Sequence, residues 1–317
     1  MPLRAVFFGT PEFALPSLTA MLEAGLEVPL ILTQPDRPVG RHATPRPSPV
    51  ALLAESRGIP VAKPERLRGN REILERILQV APDAGVVVAY GKLLPTALLE
   101  VPRLSFVNVH ASLLPKYRGA SPVQAAILAG DRETGVVTMK IVEELDAGPI
   151  YLERRVPMGE REDAGSLSGR LAVAGARILI ETLRGLEAGT IQARPQTGEP
   201  SFCRPIRREQ GKVDWTLPAT ALERQLRAYT PWPGLYTFRG NERIKIVSAG
   251  PGPGGRKETP GTFWTERGKL LAAAGEGTSL ELGVLQRAGR KPVSGADFAL
   301  GVKIPGRFGP AVSAHGS

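Results

Sequence analysis

One cysteine and three histidines in 317 residues leave little room for several kinds of chemistry. The lone Cys203 cannot form an internal disulfide, and with no Cys-x-x-Cys motif and scattered histidines a dedicated metal site is not expected. No apolar run approaches the roughly 18–20 residues that span a bilayer. Met1-Pro2-Leu3-Arg4 leads straight into a strand rather than a signal peptide, so a soluble cytoplasmic protein without membrane association is expected. A Gly-x-Gly-x-x-Gly turn after the first strand, a P-loop and a Gly-x-Ser-x-Gly elbow are all missing, which counts against NAD enzymes, NTPases and serine hydrolases.

What is present is the material of a globular chain: 42% hydrophobic residues, and a length that suits one large α/β domain and one smaller domain. The net charge of +10 is unevenly spread. Pro205 to Ser317 holds 17 Lys/Arg against 9 Asp/Glu, while the rest holds 24 against 22. A small basic domain beside a nearly neutral one suits a polyanion partner, because neutralising phosphates releases counterions, although positive charge alone also serves solubility.

Along the chain, strands and helices alternate. Arg4 to Phe8 reads as a strand ending at Gly9-Thr10-Pro11, with Thr10 as helix cap, and Leu26 to Thr33 as the next strand. A long, positive loop from Asp36 to Pro49 follows. Ala84 to Ala89 is a continuous apolar strand of the kind buried on both faces, and Ser105 to His110 is another strand. This predicts an α/β, doubly wound, mainly parallel sheet. Strands Val136–Val142 and Ile150–Val156 and a helix to Glu187 complete a domain over 1–189. Residues 190–208 read as a linker, and 209–317, with five short strands punctuated by Gly and Pro, as a small β-barrel.

The run Asn108-Val109-His110-Ala111-Ser112-Leu113-Leu114-Pro115, with Leu145-Asp146-Ala147-Gly148 further on, constrains the chemistry most. Period-two geometry points Asn108 and His110 to one face of their strand. An amide donor, an imidazole and a carboxylate suit acyl transfer, in which a carbonyl oxygen becomes an oxyanion and a leaving amine collects a proton. A strand closing in a polar loop would use the same residues to satisfy backbone groups. Asp146 before Ala-Gly would equally stabilise a turn. His110 is nonetheless the only histidine leaving a buried strand; His42 lies in a Pro- and Arg-rich loop and His315 in a Gly/Ser-rich tail. In open α/β sheets ligands bind outside the carboxyl ends of the strands, where Gly9-Thr10, Ala89-Tyr90-Gly91 and His110-Ala111-Ser112 all fall. Ser112 as nucleophile is disfavoured, since a loop serine before Leu-Leu-Pro more often bonds backbone groups. Lys116, Tyr117 and Arg118 read either as a solvated loop or as contacts to phosphate or another anionic group.

Phe8-Gly9-Thr10-Pro11-Glu12-Phe13, Thr33-Gln34-Pro35-Asp36-Arg37-Pro38, Val88-Ala89-Tyr90-Gly91, Asn108 to Ala120, Leu145-Asp146-Ala147-Gly148, Val213-Asp214-Trp215 and Pro231-Trp232-Pro233 occur in order over nearly the whole chain. Together they resemble the methionyl-tRNA formyltransferase family. The resemblance implies a formyltransferase catalytic domain using 10-formyltetrahydrofolate as formyl donor, and an OB-like C-terminal domain that helps hold initiator methionyl-tRNA, in a monomer. It also implies that Asn108, His110 and Asp146 are catalytic, that Ser112, Leu113, Leu114 and Pro115 contact the folate, with Tyr90-Gly91 beside its pterin, and that Arg41 is the family's loop arginine on the tRNA side. Asp146 would keep the imidazole of His110 charged. Two departures stand out: Ala43-Thr44 replaces a lysine pair common after that arginine, and Pro205-Ile206 replaces a Lys-Ile pair. Other readings of the same residues are a formyltransferase acting on an amino sugar or ribonucleotide amine, a formyl-folate hydrolase, and a non-catalytic tRNA-binding protein.

Overall fold

The computed structural model describes residues 2–39, 44–254 and 256–309. By their contacts the residues form two compact units, one of Met1–Pro122, Arg132–Met158 and Ser166–Arg204, the other of Val123–Asp131, Gly159–Gly165 and Pro205–Ser317.

The first unit is built on β1 (Ala5–Gly9), β2 (Ile31–Leu32), β3 (Val61–Ala62), β4 (Ala84–Val88), β5 (Ser105–His110), β6 (Glu133–Lys140) and β7 (Ile150–Pro157), in the order β7-β6-β5-β4-β1-β2-β3. The pairings from β5 through β4, β1 and β2 to β3 are parallel; β5–β6 and β6–β7 are antiparallel. The expected doubly wound, mainly parallel sheet is therefore present. β1 and β4 are buried along their whole length, which is why they read as unbroken apolar runs. Helices α1 (Leu15–Glu23), α2 (Pro49–Ser56) and α3 (Arg71–Val80) alternate with its strands; α4 (Pro122–Ala129) falls almost wholly in the second unit, and α5 (Ala164–Glu187) belongs to the first from Ser166 on. α2 and α3 begin where a side chain caps them: Ser48 Oγ accepts from the Ala51 N–H and Asn70 Oδ1 from the Ile73 N–H.

Thr10 does not cap a helix. A 3-10 turn, Glu12–Ala14, precedes α1 with Pro11 before it and no side-chain cap. The Thr10 hydroxyl instead accepts from the Gln34 N–H at 3.3 Å and donates to the Tyr90 carbonyl at 3.4 Å. Loops at the carboxyl edge compete for this hydroxyl, and those long-range partners displace the local one. Within the expected loop 36–49, Arg37–Val39 pairs antiparallel with Thr44–Arg46. Residues 190–204, in the expected linker, run along the first unit: Arg194 exchanges backbone hydrogen bonds with Ile150, and Phe202–Cys203 pairs in parallel with Arg118–Gly119.

In the second unit, β8 (Leu235–Arg239), β9 (Glu242–Pro251), β10 (Thr262–Glu266), β11 (Lys269–Ala273), β12 (Ser279–Arg287) and β13 (Gly306–Arg307) form an antiparallel sheet ordered β8-β9-β12-β11-β10-β13. A bridge between Arg239 and Gly309 joins its two edges, so the sheet curls into the expected OB-like barrel. Trp215, Phe263, Phe298 and Phe308 cluster inside it. Among the described residues no helix is long and apolar enough to cross a membrane.

The core of the first unit buries a large polar group without a partner among the described residues. Tyr90 is 1% exposed, packs edge-on against Phe8 at 5.3 Å, and its hydroxyl has no hydrogen-bond partner among the described residues. Burial pushes its pKa up to about 12. A buried, unpartnered hydroxyl costs about 1–3 kcal/mol. Tyr90→Phe is therefore expected to stabilise the first unit by about 1 kcal/mol, seen as a higher denaturant midpoint with an unchanged slope; a lower midpoint would show that the hydroxyl is bonded.

Candidate active site

His110 ends β5 and is 6% exposed. The chain then turns through Ser112, whose hydroxyl donates to the Lys116 carbonyl at 2.6 Å, and through a cis Leu114-Pro115 bond. This compact turn brings the Tyr117 carbonyl back to within 3.0 Å of His110 Nε2. A carbonyl oxygen only accepts, so Nε2 carries a proton, and Nδ1 is left as the ring nitrogen able to exchange one. Nδ1 lies 3.8 Å from Asp146 Oδ2. That separation is within reach of charge pairing but too long for a hydrogen bond.

Asp146 sits in the loop after β6 in a left-handed conformation, φ 49°, which Asp tolerates better than most residues. Its Oδ2 accepts the Gly119 N–H at 2.8 Å. Two glycines make this convergence possible. A Cβ on Gly119 would stand 2.2 Å from the Cys203 carbonyl oxygen, and one on Gly148 would stand 1.7 Å from that of Lys140. Any side chain at either position would drive one of the two loops away.

Asn108 lies two residues before His110 on the same strand face and is half-buried, opposite Val87 of β4 and Met139 of β6. His110, Asp146 and the Tyr117 carbonyl are thus brought together, with Asn108 on the adjoining register position. The folate-side candidates divide by accessibility. Ser112 is fully buried and its hydroxyl is spent on Lys116; Leu114 packs with Val137, Met139 and Ile150; the Tyr90 ring belongs to the core. Leu113 and Pro115 are half-buried, and Gly91 and its neighbour Ala89 are exposed just beyond β4. The Tyr90 carbonyl accepts from Gln34 Nε2 at 2.8 Å. An edge of small, apolar and main-chain surface such as this fits a flat heterocycle. Arg118 is buried and paired with Glu144 at 3.1 Å, so its guanidinium is already engaged, whereas Lys116 is exposed. Arg41 lies outside the described residues. Among the described residues, no group of three or more His, Cys, Asp or Glu could hold a metal ion.

What the sequence reading missed is the segment 194–203. Ser201 Oγ accepts the Tyr117 N–H at 2.9 Å and the Ser201 carbonyl accepts the Arg118 N–H at 2.8 Å. Cys203 Sγ accepts the Ser121 N–H and lies 3.4 Å from the Tyr117 carbonyl. Nothing local signals these contacts; only the Ser201-Phe202-Cys203 apolar patch hints at a short strand.

A mainly parallel sheet gathering an imidazole and a carboxylate over a fixed main-chain turn is the framework of an acyl-group transferase. Residues 3–183 match the family model described as formyl transferase, and residues 205–303 that of the formyl transferase C-terminal domain. A methionyl-tRNA formyltransferase of Chloroflexus aggregans is 40% identical over 96% of this chain and 98% of that protein; one of Thermus thermophilus is 44% identical over 95% and 97%. The chain belongs to the methionyl-tRNA formyltransferase family. In fold it also resembles an N-formyltransferase of Helicobacter canadensis solved with folinic acid and dTDP-3-aminofucose, at TM-score 0.64 and 17% identity over 90% of this chain and 100% of that one.

Burial pushes the Cys203 thiol up; the Ser121 N–H opposes this and the Asp146 charge adds to it. Less thiolate is therefore present at any given pH. Labelling by a disulfide reagent at about pH 8 should be slower than for an exposed thiol, and should still be accelerating above about pH 9; a rate that levels off at lower pH would contradict the environment described.

Proposed function

We propose that this chain carries the formyl group of 10-formyltetrahydrofolate to the free α-amine of initiator methionyl-tRNA, in the cytoplasm, for translation initiation. The near-full-length likeness to methionyl-tRNA formyltransferases carries this reading. The retained Asn108, His110 and Asp146 support it, and since all three come from one chain a monomer suffices.

The donor supplies a formyl group already activated on nitrogen, so direct attack by the amine needs no covalent relay on the protein. Formation of the new C–N bond releases a proton, and cleavage of the old one consumes a proton at the departing nitrogen. His110 Nδ1 moves that proton, because Nε2 is held by Tyr117. Asp146, 3.8 Å from Nδ1, balances the charge on the ring while the proton resides there. Asn108 donates a hydrogen bond to the carbonyl oxygen as negative charge builds on it. Leu113, Pro115, Gly91 and the turn around them provide the surface for the folate.

The nucleic-acid side of the reading draws on charge. Arg37 and Arg46 stand directly opposite each other in their short ladder and are both exposed. Like charges in that position repel, and a phosphate between them removes the penalty. Arg41, in the same stretch of sequence, would act with them. The basic C-terminal third has the same affinity for a polyanion.

Formyl transfer to charged initiator tRNA tests the proposal. His110→Ala should lower kcat by at least about a hundredfold, the usual scale of general acid–base assistance. Arg37→Ala with Arg46→Ala should raise KM for tRNA and reduce the salt slope of binding by about 2, one for each phosphate that is no longer neutralised. Folate turnover without an acceptor, or transfer to an amino sugar but not to tRNA, would overturn the proposal.

A further inference from the structure

Asp146 presents its carboxylate from a loop with no regular structure, residues 141–149, so something must keep its backbone in a left-handed conformation. The Gln196 amide does this. Its Nε2 donates to the Asp146 carbonyl and to the Gly148 carbonyl, both at 2.8 Å, bracketing the residue whose carboxylate faces the histidine. Its Oε1 accepts from Arg118 Nε at 3.2 Å and Nη2 at 2.9 Å. Arg118 in turn is 9% exposed, donates through Nη1 to Glu144 of the same loop, and immediately precedes Gly119, whose N–H holds Asp146 Oδ2. All four hydrogen-bonding positions of one amide group are thereby used: two donors on the loop after β6, and an acceptor oxygen taking two bonds from the loop after β5.

The geometry points to Gln196 as a positioning residue for formyl transfer, one that sets the Asp146 carboxylate against His110 Nδ1 by tying its backbone to Arg118. This rests on the catalytic role proposed above for Asp146. Removing the two Nε2 donors leaves the Asp146 and Gly148 carbonyls unsatisfied and frees the loop to relax. A carboxylate displaced by about 1 Å is enough to lower a rate by about a hundredfold. A residue that acts through another has a specific signature, because its effect vanishes once the other is gone.

The test is a double-mutant cycle on the full-length chain, assayed by formyl transfer to methionyl-tRNA. Gln196→Leu is expected to lower kcat by about ten- to a hundredfold, with KM for formyl-folate changed less than about threefold. Its pH profile should become that of Asp146→Asn. In the Asp146→Asn background the same substitution should change kcat by less than about threefold. Gln196→Glu keeps the acceptor for Arg118 but loses the two donors and sets a carboxylate oxygen against two carbonyls, so it should show the same loss of kcat while still unfolding in one cooperative transition above the assay temperature; this separates misplacement of Asp146 from misfolding. Equal losses from Gln196→Leu in the two backgrounds, or wild-type kcat in Gln196→Glu, would overturn the proposal. Failure of the underlying reading looks different: Asp146→Asn by itself would leave kcat unchanged, and the positioning role would fall with it.

Discussion

One main-chain contact, the Tyr117 carbonyl on His110 Nε2, decides how the rest of the site can work. By accepting from Nε2 it fixes the tautomer and leaves Nδ1 as the ring nitrogen able to exchange a proton. Nδ1 then faces a carboxylate that does not quite reach it. The turn from Ala111 to Tyr117 returns that carbonyl to its own strand end, and its internal bond from Ser112 to Lys116 keeps the loop from opening. Ser112, which sits two residues from a histidine and invites a nucleophilic reading, is therefore a structural residue whose hydroxyl is already committed.

The second constraint comes from a stretch that composition alone presents as a connector. Residues 194–203 bond to the loop after β5 through Ser201 and Cys203, to β7 through Arg194, and to the loop after β6 through Gln196. The loop after β5 and the loop that holds Asp146 are thus referenced to one extended strip of backbone rather than only to the strands from which they emerge. Close approach is the condition for it. At Gly119 and Gly148 the neighbouring carbonyls occupy the space a side chain would need, so the chemical identity of these positions follows from packing.

Much of this was legible in the chain itself. Alternation placed Asn108 and His110 on one face, the unbroken apolar runs of β1 and β4 indicated strands covered on both sides, and the strand ends named by the rule of carboxyl-edge binding are where His110 and Asp146 come together. Local signals failed where a distant partner was stronger. Thr10 has every attribute of a helix cap, yet its hydroxyl is claimed by Gln34 and Tyr90 from other loops. Tyr90 was placed by motif at the pterin, and its ring packs in the core while its carbonyl and its neighbours face the edge. Arg118 has the look of a phosphate ligand and is instead engaged inside by Glu144 and Gln196. In each case the residue type was informative about polarity, and only the partner, remote in sequence, determined where that polarity was used.

In the proposed reaction the unclosed distance between His110 and Asp146 is a requirement rather than an imperfection. A direct bond would commit the Nδ1 proton to the carboxylate and leave the ring nothing to exchange, whereas a gap of 3.8 Å retains the electrostatic attraction and leaves Nδ1 accessible to a reacting nitrogen. Because the ring is buried, that attraction is stronger than it would be in water. Once the ring takes a proton, the gap must be held from outside the pair, since the two opposite charges would otherwise close it. Gly119 on the carboxylate, Tyr117 on the far ring nitrogen and the backbone ties on either side of Asp146 supply that restraint. A site of this kind stores its specificity in the groups that keep its members apart as much as in the members themselves.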